Sequence, residues 1–118
     1  MPLIFLYPDV EIVSIVSLIM ITVKEAVAED AAEITMLSHQ LGYPVSEQQT
    51  LQNIKALIHD KHHGVLVAVH EQKVIAWMGM SYAISLTSLP SWEIHGLVVH
   101  EQYRGKGIGR MMIEKAKQ

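Results

Sequence analysis

The sequence predicts a single mixed α/β domain of the α+β kind, with its elements in the order β-α-α-β-β-β-α. Three observations predict it. Two segments with apolar residues at helical spacing, each opened by a capping residue, follow a short β-branched run. Three apolar runs then succeed one another with only a polar turn and a loop between them, as in an antiparallel meander. Finally, glycines at every second position (Gly105, Gly107, Gly109) separate the last of those runs from a helix-like segment. The 118 residues suffice for one domain with a core, and a composition that is 50% apolar and 18% charged is that of a globular chain.

The first strand is expected over 21–27, where Ile21, Thr22, Val23 and Val27 are β-branched. Asp30 can cap the first helix, with Glu33 three residues on as in a capping box, and Ile34, Leu37 and Leu41 as its inner stripe. Gly42 supplies the stop and Pro44 prevents continuation. Ser46 opens a second helix with the stripe Leu51, Ile54 and Ile58, ending near His59. "VLVAV" (65–69) reads as a continuous apolar strand. "HEQK" (70–73) reads as a polar turn, so the run from Val74 to Ser85 should pair back on it as a hairpin. "LTSLPS" is a loop, and Trp92 to Val99 is the last strand. A helix from about Ile108 would turn Ile108, Met111 and Met112 inward, together with the stem of Lys115. Met78, Met80, Met111 and Met112 read as core filler; Trp77 and Tyr82, on the third strand, could line an acceptor pocket, with packing the favoured expectation.

Residues 1–19 form an apolar extension ahead of the domain at 20–118, and Met20 reads as a natural start. The extension carries Asp9 and Glu11 and no basic residue, so it lacks the n-region of a secretory signal. Each acid costs roughly 2.5–3.5 kcal/mol at mid-bilayer, which argues against a membrane span. Val10 to Ile19 is apolar enough to add a strand. A formal charge of −3, with no basic face outside the last tenth of the chain, excludes a general nucleic-acid binder. The chain has no cysteine, which excludes disulfides, thiolate catalysis and Cys-type zinc sites and suits a reducing cytoplasm, the expected location. His59, His62 and His63 read as a solvated helix end rather than a metal site, and no metal is expected.

"YRGKGIGR" (103–110) carries the chemistry. Glycines let backbone N–H groups approach a ligand without a Cβ in the way, and N–H groups at a helix start favour an anion. Arg104, Lys106 and Arg110 add positive charge around that concavity. The physical reading is a phosphate or pyrophosphate cradle on a strand-loop-helix unit. A P-loop needs Lys-Ser/Thr after its last glycine, and a Rossmann fingerprint needs G-x-G-x-x-G near the start of a βαβ domain; neither pattern is present.

Arg104-Gly105-Lys106-Gly107-Ile108-Gly109 resembles the R/Q-x-x-G-x-G/A signature of the GNAT superfamily of acyl-CoA-dependent N-acyltransferases. The resemblance is specific over Trp92 to Lys117 and one of pattern from about Met20; Glu101 stands where many members have proline. It implies a mostly antiparallel central sheet with flanking helices. It also implies acetyl-CoA as acyl donor and an amine acceptor attacking the thioester directly. The loop amides from Arg104 through Gly105, Lys106, Gly107, Ile108 and Gly109 to Arg110 would hold the pyrophosphate. Pantetheine would lie along Leu97, Val98 and Val99, with the N–H of Leu97 polarising the thioester carbonyl. Glu93 is the first candidate for the base that deprotonates the amine and His95 the second, on an apolar strand that would desolvate them. Alternation would put Glu93, His95, Leu97 and Val99 on one face.

The family fold continues with a further strand, helix and strand, and no tyrosine here is assigned the general-acid role. The sequence is therefore expected to be a C-terminally truncated acetyltransferase, its central strand an open edge that invites a homodimer. The alternative is a non-catalytic CoA-binding module or an inactive fragment. The acceptor is not specified by these motifs.

Overall fold

A computed structural model describes residues 20–117. The extension 1–19, and with it the strand expected within Val10–Ile19, lies outside the described residues. Four strands form one antiparallel sheet in sequence order: β1 (Thr22–Glu25), β2 (His63–His70), β3 (Lys73–Ala83) and β4 (Ser91–Val99). Helices α1 (Ala31–Gln40) and α2 (Glu47–Ile58) pack on one face, and α3 (Ile108–Ala116) packs on the other. This is the mixed α/β architecture that the sequence predicts.

The central strand β2 explains the layering. Helices cover both of its faces, so it needs apolar residues at consecutive positions. Val65 and Val67 join Ala31, Ile34, Leu37 and Ile54 in one core cluster. Leu66 and Ala68 join Met78, Ile108 and Met112 in the other. Met112 is fully buried and Ile108 nearly so. Burying a side chain of that size contributes about 1.5–3 kcal/mol, enough to dock the short α3. Gly42, at φ +83°, ends α1 in a Schellman turn: the N–H of Tyr43 reaches the carbonyl of Ser38 and that of Gly42 reaches His39. Ser46 Oγ accepts the N–H of Gln49 at 3.0 Å and starts α2. The β2–β3 hairpin turns on Glu71 and Gln72, both at positive φ, the backbone of a two-residue turn that matches the twist of the strands.

Some expectations are corrected. The first strand is shorter than 21–27. Asp30 closes a 3-10 turn (Ala28–Asp30) and accepts the N–H of Val27 at 2.9 Å, so the cap sits one turn earlier than expected. Glu33 makes no capping box, because its Oε2 accepts the N–H of Val74 at 2.7 Å and ties α1 to β3. Leu41 lies beyond the end of α1 and is exposed; the inner stripe closes instead on Ser38, whose Oγ donates to the Ile34 carbonyl. Ile58, the last residue of α2, is likewise exposed.

The largest correction concerns β4. Leu97 pairs with Met78 and Gly96 with Gly79, but Ile94 pairs with Met80, which leaves His95 as an extra residue in a β-bulge. The bulge shifts the phase of the strand. Leu97 and Val99 pack towards α3, whereas His95 lines the face under α1 and α2. Glu93, paired with Ser81, shares that second face. Glu93, His95, Leu97 and Val99 are therefore not on one face.

Candidate functional site

β4 is an edge of the sheet, paired only with β3 among the described residues. The N–H of His100 reaches the carbonyl of Ile75 at 2.8 Å, just past the strand. Antiparallel alternation then directs the N–H of Val98 towards β3 and the N–H and C=O groups of Leu97 and Val99 outward, to the open edge. One outward group is already engaged: Arg104 Nε donates to the Val99 carbonyl at 2.9 Å. The Leu97 N–H is left as a backbone donor at the edge.

The loop after β4 is built from local bonds. His100 Nδ1 accepts the N–H of Gln102 and caps a 3-10 turn (Glu101–Tyr103). The Tyr103 hydroxyl meets His70 Nδ1 at 2.7 Å, which fastens the loop to the end of β2. Lys106 Nζ lies 5.6 Å from the centre of the Tyr103 ring. Gly105 (φ +77°) and Gly107 (φ +84°) take left-handed conformations that favour glycine. A Cβ at either would have no heavy atom within 4 Å, so open space borders both. Gly109 serves a different purpose. It is helical, and a Cβ there would come within 3.2 Å of Leu97 Cδ2, so its small size lets α3 lie close against β4. The N–H groups of Ile108, Gly109 and Arg110 have no carbonyl four residues back within the helix and point to the open side. The Ile108 side chain belongs to the core, so only its N–H is available. Arg104 and Arg110 are exposed. Open space, backbone donors and positive charge converge here, an arrangement that could hold a phosphate-bearing group.

The structure thus brings the loop residues 104–110 together with the outward groups of Leu97 and Val99, while Val98 is buried under α1 and α2. Glu93 and His95 stand apart, before and at the bulge. Both are exposed, so the burial expected of an apolar strand is missing at this end of β4. His95 Nε2 hydrogen-bonds Ser81 Oγ.

A cleft of about 400 Å3 opens between α1, α2 and the sheet, bounded by Trp77, Gly79, His95 and Gly96 at its floor. Trp77 both packs and lines this cleft; its Nε1 donates to Ser38 Oγ at 3.2 Å. The sequence favours packing for this residue over a place in an acceptor pocket, and the structure gives it packing and a place in the cleft lining. The signal in the sequence was Gly96, a lone glycine within an apolar strand, which marks a bulge or a close approach. His62 and His63 turn to Asp60, whose carboxylate accepts the N–H of His62 at 2.8 Å and lies 3.2 Å from His63 Nδ1. The His62 N–H bond, joined by weaker contributions from the His63 and His62 rings, holds the Asp60 carboxyl below its ordinary value against an opposing desolvation. Among the described residues no helix is long and apolar enough to cross a membrane.

Comparison with known proteins places this arrangement. The model of the acetyltransferase (GNAT) family matches residues 25–118, and the chain belongs to that family. A GNAT family acetyltransferase from Staphylococcus aureus is 22% identical, with a TM-score of 0.71 over 83% of this chain and 76% of that one. An aminoglycoside 6'-N-acetyltransferase from Acinetobacter haemolyticus is 22% identical, with a TM-score of 0.70 over 81% of this chain and 68% of that one. A glucosamine-6-phosphate N-acetyltransferase from Arabidopsis thaliana is 17% identical, with a TM-score of 0.70 over 82% and 71%. At these identities the likeness speaks for the fold. No curated protein matches the sequence.

Proposed function

We propose that this chain is an N-acetyltransferase that moves the acetyl group of acetyl-CoA to a primary amine by direct attack. The observation that carries the reading is the strand edge leading into the glycine loop. The outward N–H of Leu97 and the unpaired N–H groups at the start of α3 are the donors that this edge and loop offer. The pyrophosphate would lie over Gly105 to Arg110, and pantetheine would add as a strand along Leu97 to Val99. A solved GNAT relative, an aminoglycoside N-acetyltransferase in complex with CoA, supports this choice of ligand.

In the reaction the amine lone pair forms the C–N bond to the acetyl carbon, while the Leu97 N–H stabilises charge on the carbonyl oxygen. The C–S bond breaks and its electron pair stays on sulfur. Glu93 or His95 takes a proton from nitrogen, directly or through water. The bulge supports this division, since it turns His95 into the α1/α2 cleft and leaves Leu97 at the edge. The acceptors named for the related structures are not carried over to this chain.

A CoA-binding module without catalysis is the second reading. The exposure of Glu93 and His95 favours it, because neither side chain stands in an enclosed, water-excluding setting. The open edge of β4 is also where a second copy would pair, and a homodimer belongs to this proposal as a state to be measured by sedimentation.

Thermal unfolding with and without acetyl-CoA, followed by thiol release with a panel of amines, tests the reading. An upward shift of the transition with thiol release is the expected result. A shift without release supports the binding module. No shift at millimolar ligand removes both.

A further inference from the structure

From the lining of the cleft between α1, α2 and the sheet, we infer that the acceptor is a compact primary amine carried on an apolar body, such as an arylalkylamine, and not a polycation or a phosphorylated sugar. The inference rests on the acetyl-transfer reading and names the substrate class of that same site.

Ile34, Ile54, Leu57, Val65 and Trp77 line it, and most of the wall is apolar. No Asp, Glu, Lys or Arg lines it. A polyamine or a sugar with several ammonium groups would have to bury charge against this wall without a carboxylate partner, which is costly. A phosphorylated acceptor would find no lysine or arginine there.

Three of the polar side chains that line the cleft are engaged within the protein, and Tyr43 and His95 stand beside them. Ser38 Oγ donates to the Ile34 carbonyl at 2.8 Å and accepts from Trp77 Nε1. Thr50 Oγ1 donates to the Ser46 carbonyl at 3.0 Å. Asn53 Oδ1 accepts from Gln49 Nε2 at 2.9 Å. A ligand in this space therefore meets mainly carbon, and its own carbon surface must supply the affinity. The volume of about 400 Å3 admits a ring on a short chain. His95 and Gly96 bound the cleft at the bulge, which directs the amine end of such a ligand towards the acyl donor along Leu97. In the balanced step the neutral amine gives an N-alkylacetamide and free CoA thiol; one nitrogen proton ends on sulfur.

The test uses 2-phenylethylamine, spermidine and glucosamine 6-phosphate as probes on the intact chain. Binding is read from Trp77 fluorescence in a Trp92→Phe background, and turnover from thiol release. Saturable quenching by phenylethylamine at concentrations where the other two have no effect is expected, with thiol release showing the same preference. Spermidine or the sugar phosphate preferred in either readout, or no quenching by phenylethylamine, overturns the inference and leaves acetyl transfer standing. Phenylethylamine that binds without thiol release, with acetyl-CoA still shifting the melt, keeps the cleft's preference and removes the acetyl-transfer reading instead.

A second variant separates cleft chemistry from folding. Asn53→Asp is nearly isosteric, sits at an exposed position and keeps an oxygen for Gln49. Placing a carboxylate on the wall should raise the turnover of spermidine relative to phenylethylamine by roughly fivefold or more. An unchanged ratio in a variant that melts normally also overturns the assignment.

Discussion

The indole of Trp77 stands where a Cβ on Gly96 would be: such an atom would lie 2.8 Å from Cη2 and 2.9 Å from Cζ3 of the ring. A side chain at 96 and the present position of Trp77 exclude each other. Gly96→Ala should push the indole away from Ser38, deform the floor of the cleft and destabilise the fold by about 1–3 kcal/mol. Urea unfolding followed by tryptophan fluorescence measures both effects. A variant with wild-type stability and emission would mean that the ring has room to move.

Gly107→Ala separates strain from steric blockage. The left-handed backbone at 107 costs a non-glycine residue roughly 1–2 kcal/mol, although open space surrounds the new methyl group. The melt should fall by several degrees without acetyl-CoA, and the ligand-induced rise should shrink with it. A full ligand shift in this variant would take the loop out of the binding site.

Gly109→Val acts from the other side of the same loop. Its side chain meets Leu97 within van der Waals distance and should lift α3 from β4. Stability is expected to fall even with no ligand present, by roughly 1–3 kcal/mol of overpacking. Equal melts for wild type and variant would show that Leu97 yields.

Glu93→Gln and His95→Gln distinguish the two candidate bases. The base, whichever it is, should lose roughly 100-fold or more in kcat while the acetyl-CoA shift of the melt is kept. Two variants with unaltered rates would assign the proton to solvent. Because both residues are exposed, neither change is expected to move stability by more than about 0.5 kcal/mol.

Asp60 supplies a prediction with a definite sign. Its carboxyl is held below the ordinary 3.8 by the His62 N–H and the His63 ring. A depressed carboxyl adds stability that is complete above the unfolded value and disappears as pH falls through the folded one. Asp60→Asn should therefore melt lower than wild type at neutral pH, and the gap should close below about pH 4. A gap independent of pH would show that the charge is not its source.

Elements set by neighbouring residues were legible in the sequence. Ser46 caps α2 and Gly42 ends α1 because the capping atoms lie within a few residues of the groups they satisfy. Glu33 misleads for the opposite reason: its partner, the N–H of Val74, is 41 residues away and invisible to local rules. The Glu71–Gln72 turn was legible as a turn but not by type, since neither residue advertises positive φ as glycine does. At the site, the spacing of Gly105, Gly107 and Gly109 with its basic neighbours marked the loop. The sequence did not show that Gly109 serves packing while the other two serve backbone shape. The bulge at His95 defeated simple alternation, because a period of two holds only while the strand stays regular.

That bulge has a consequence for how such a protein can change over generations. One strand presents His95 and Gly96 to one chamber and Leu97 and Val99 to the opposite side. Substitutions ahead of the kink alter what the α1/α2 chamber accepts while leaving the glycine loop and its edge intact. Substitutions at Leu97 and Val99 act on the α3 side instead, while Val98 between them faces α1 and α2. On the proposed division of the two sides, one can therefore drift under selection while the other is inherited unchanged.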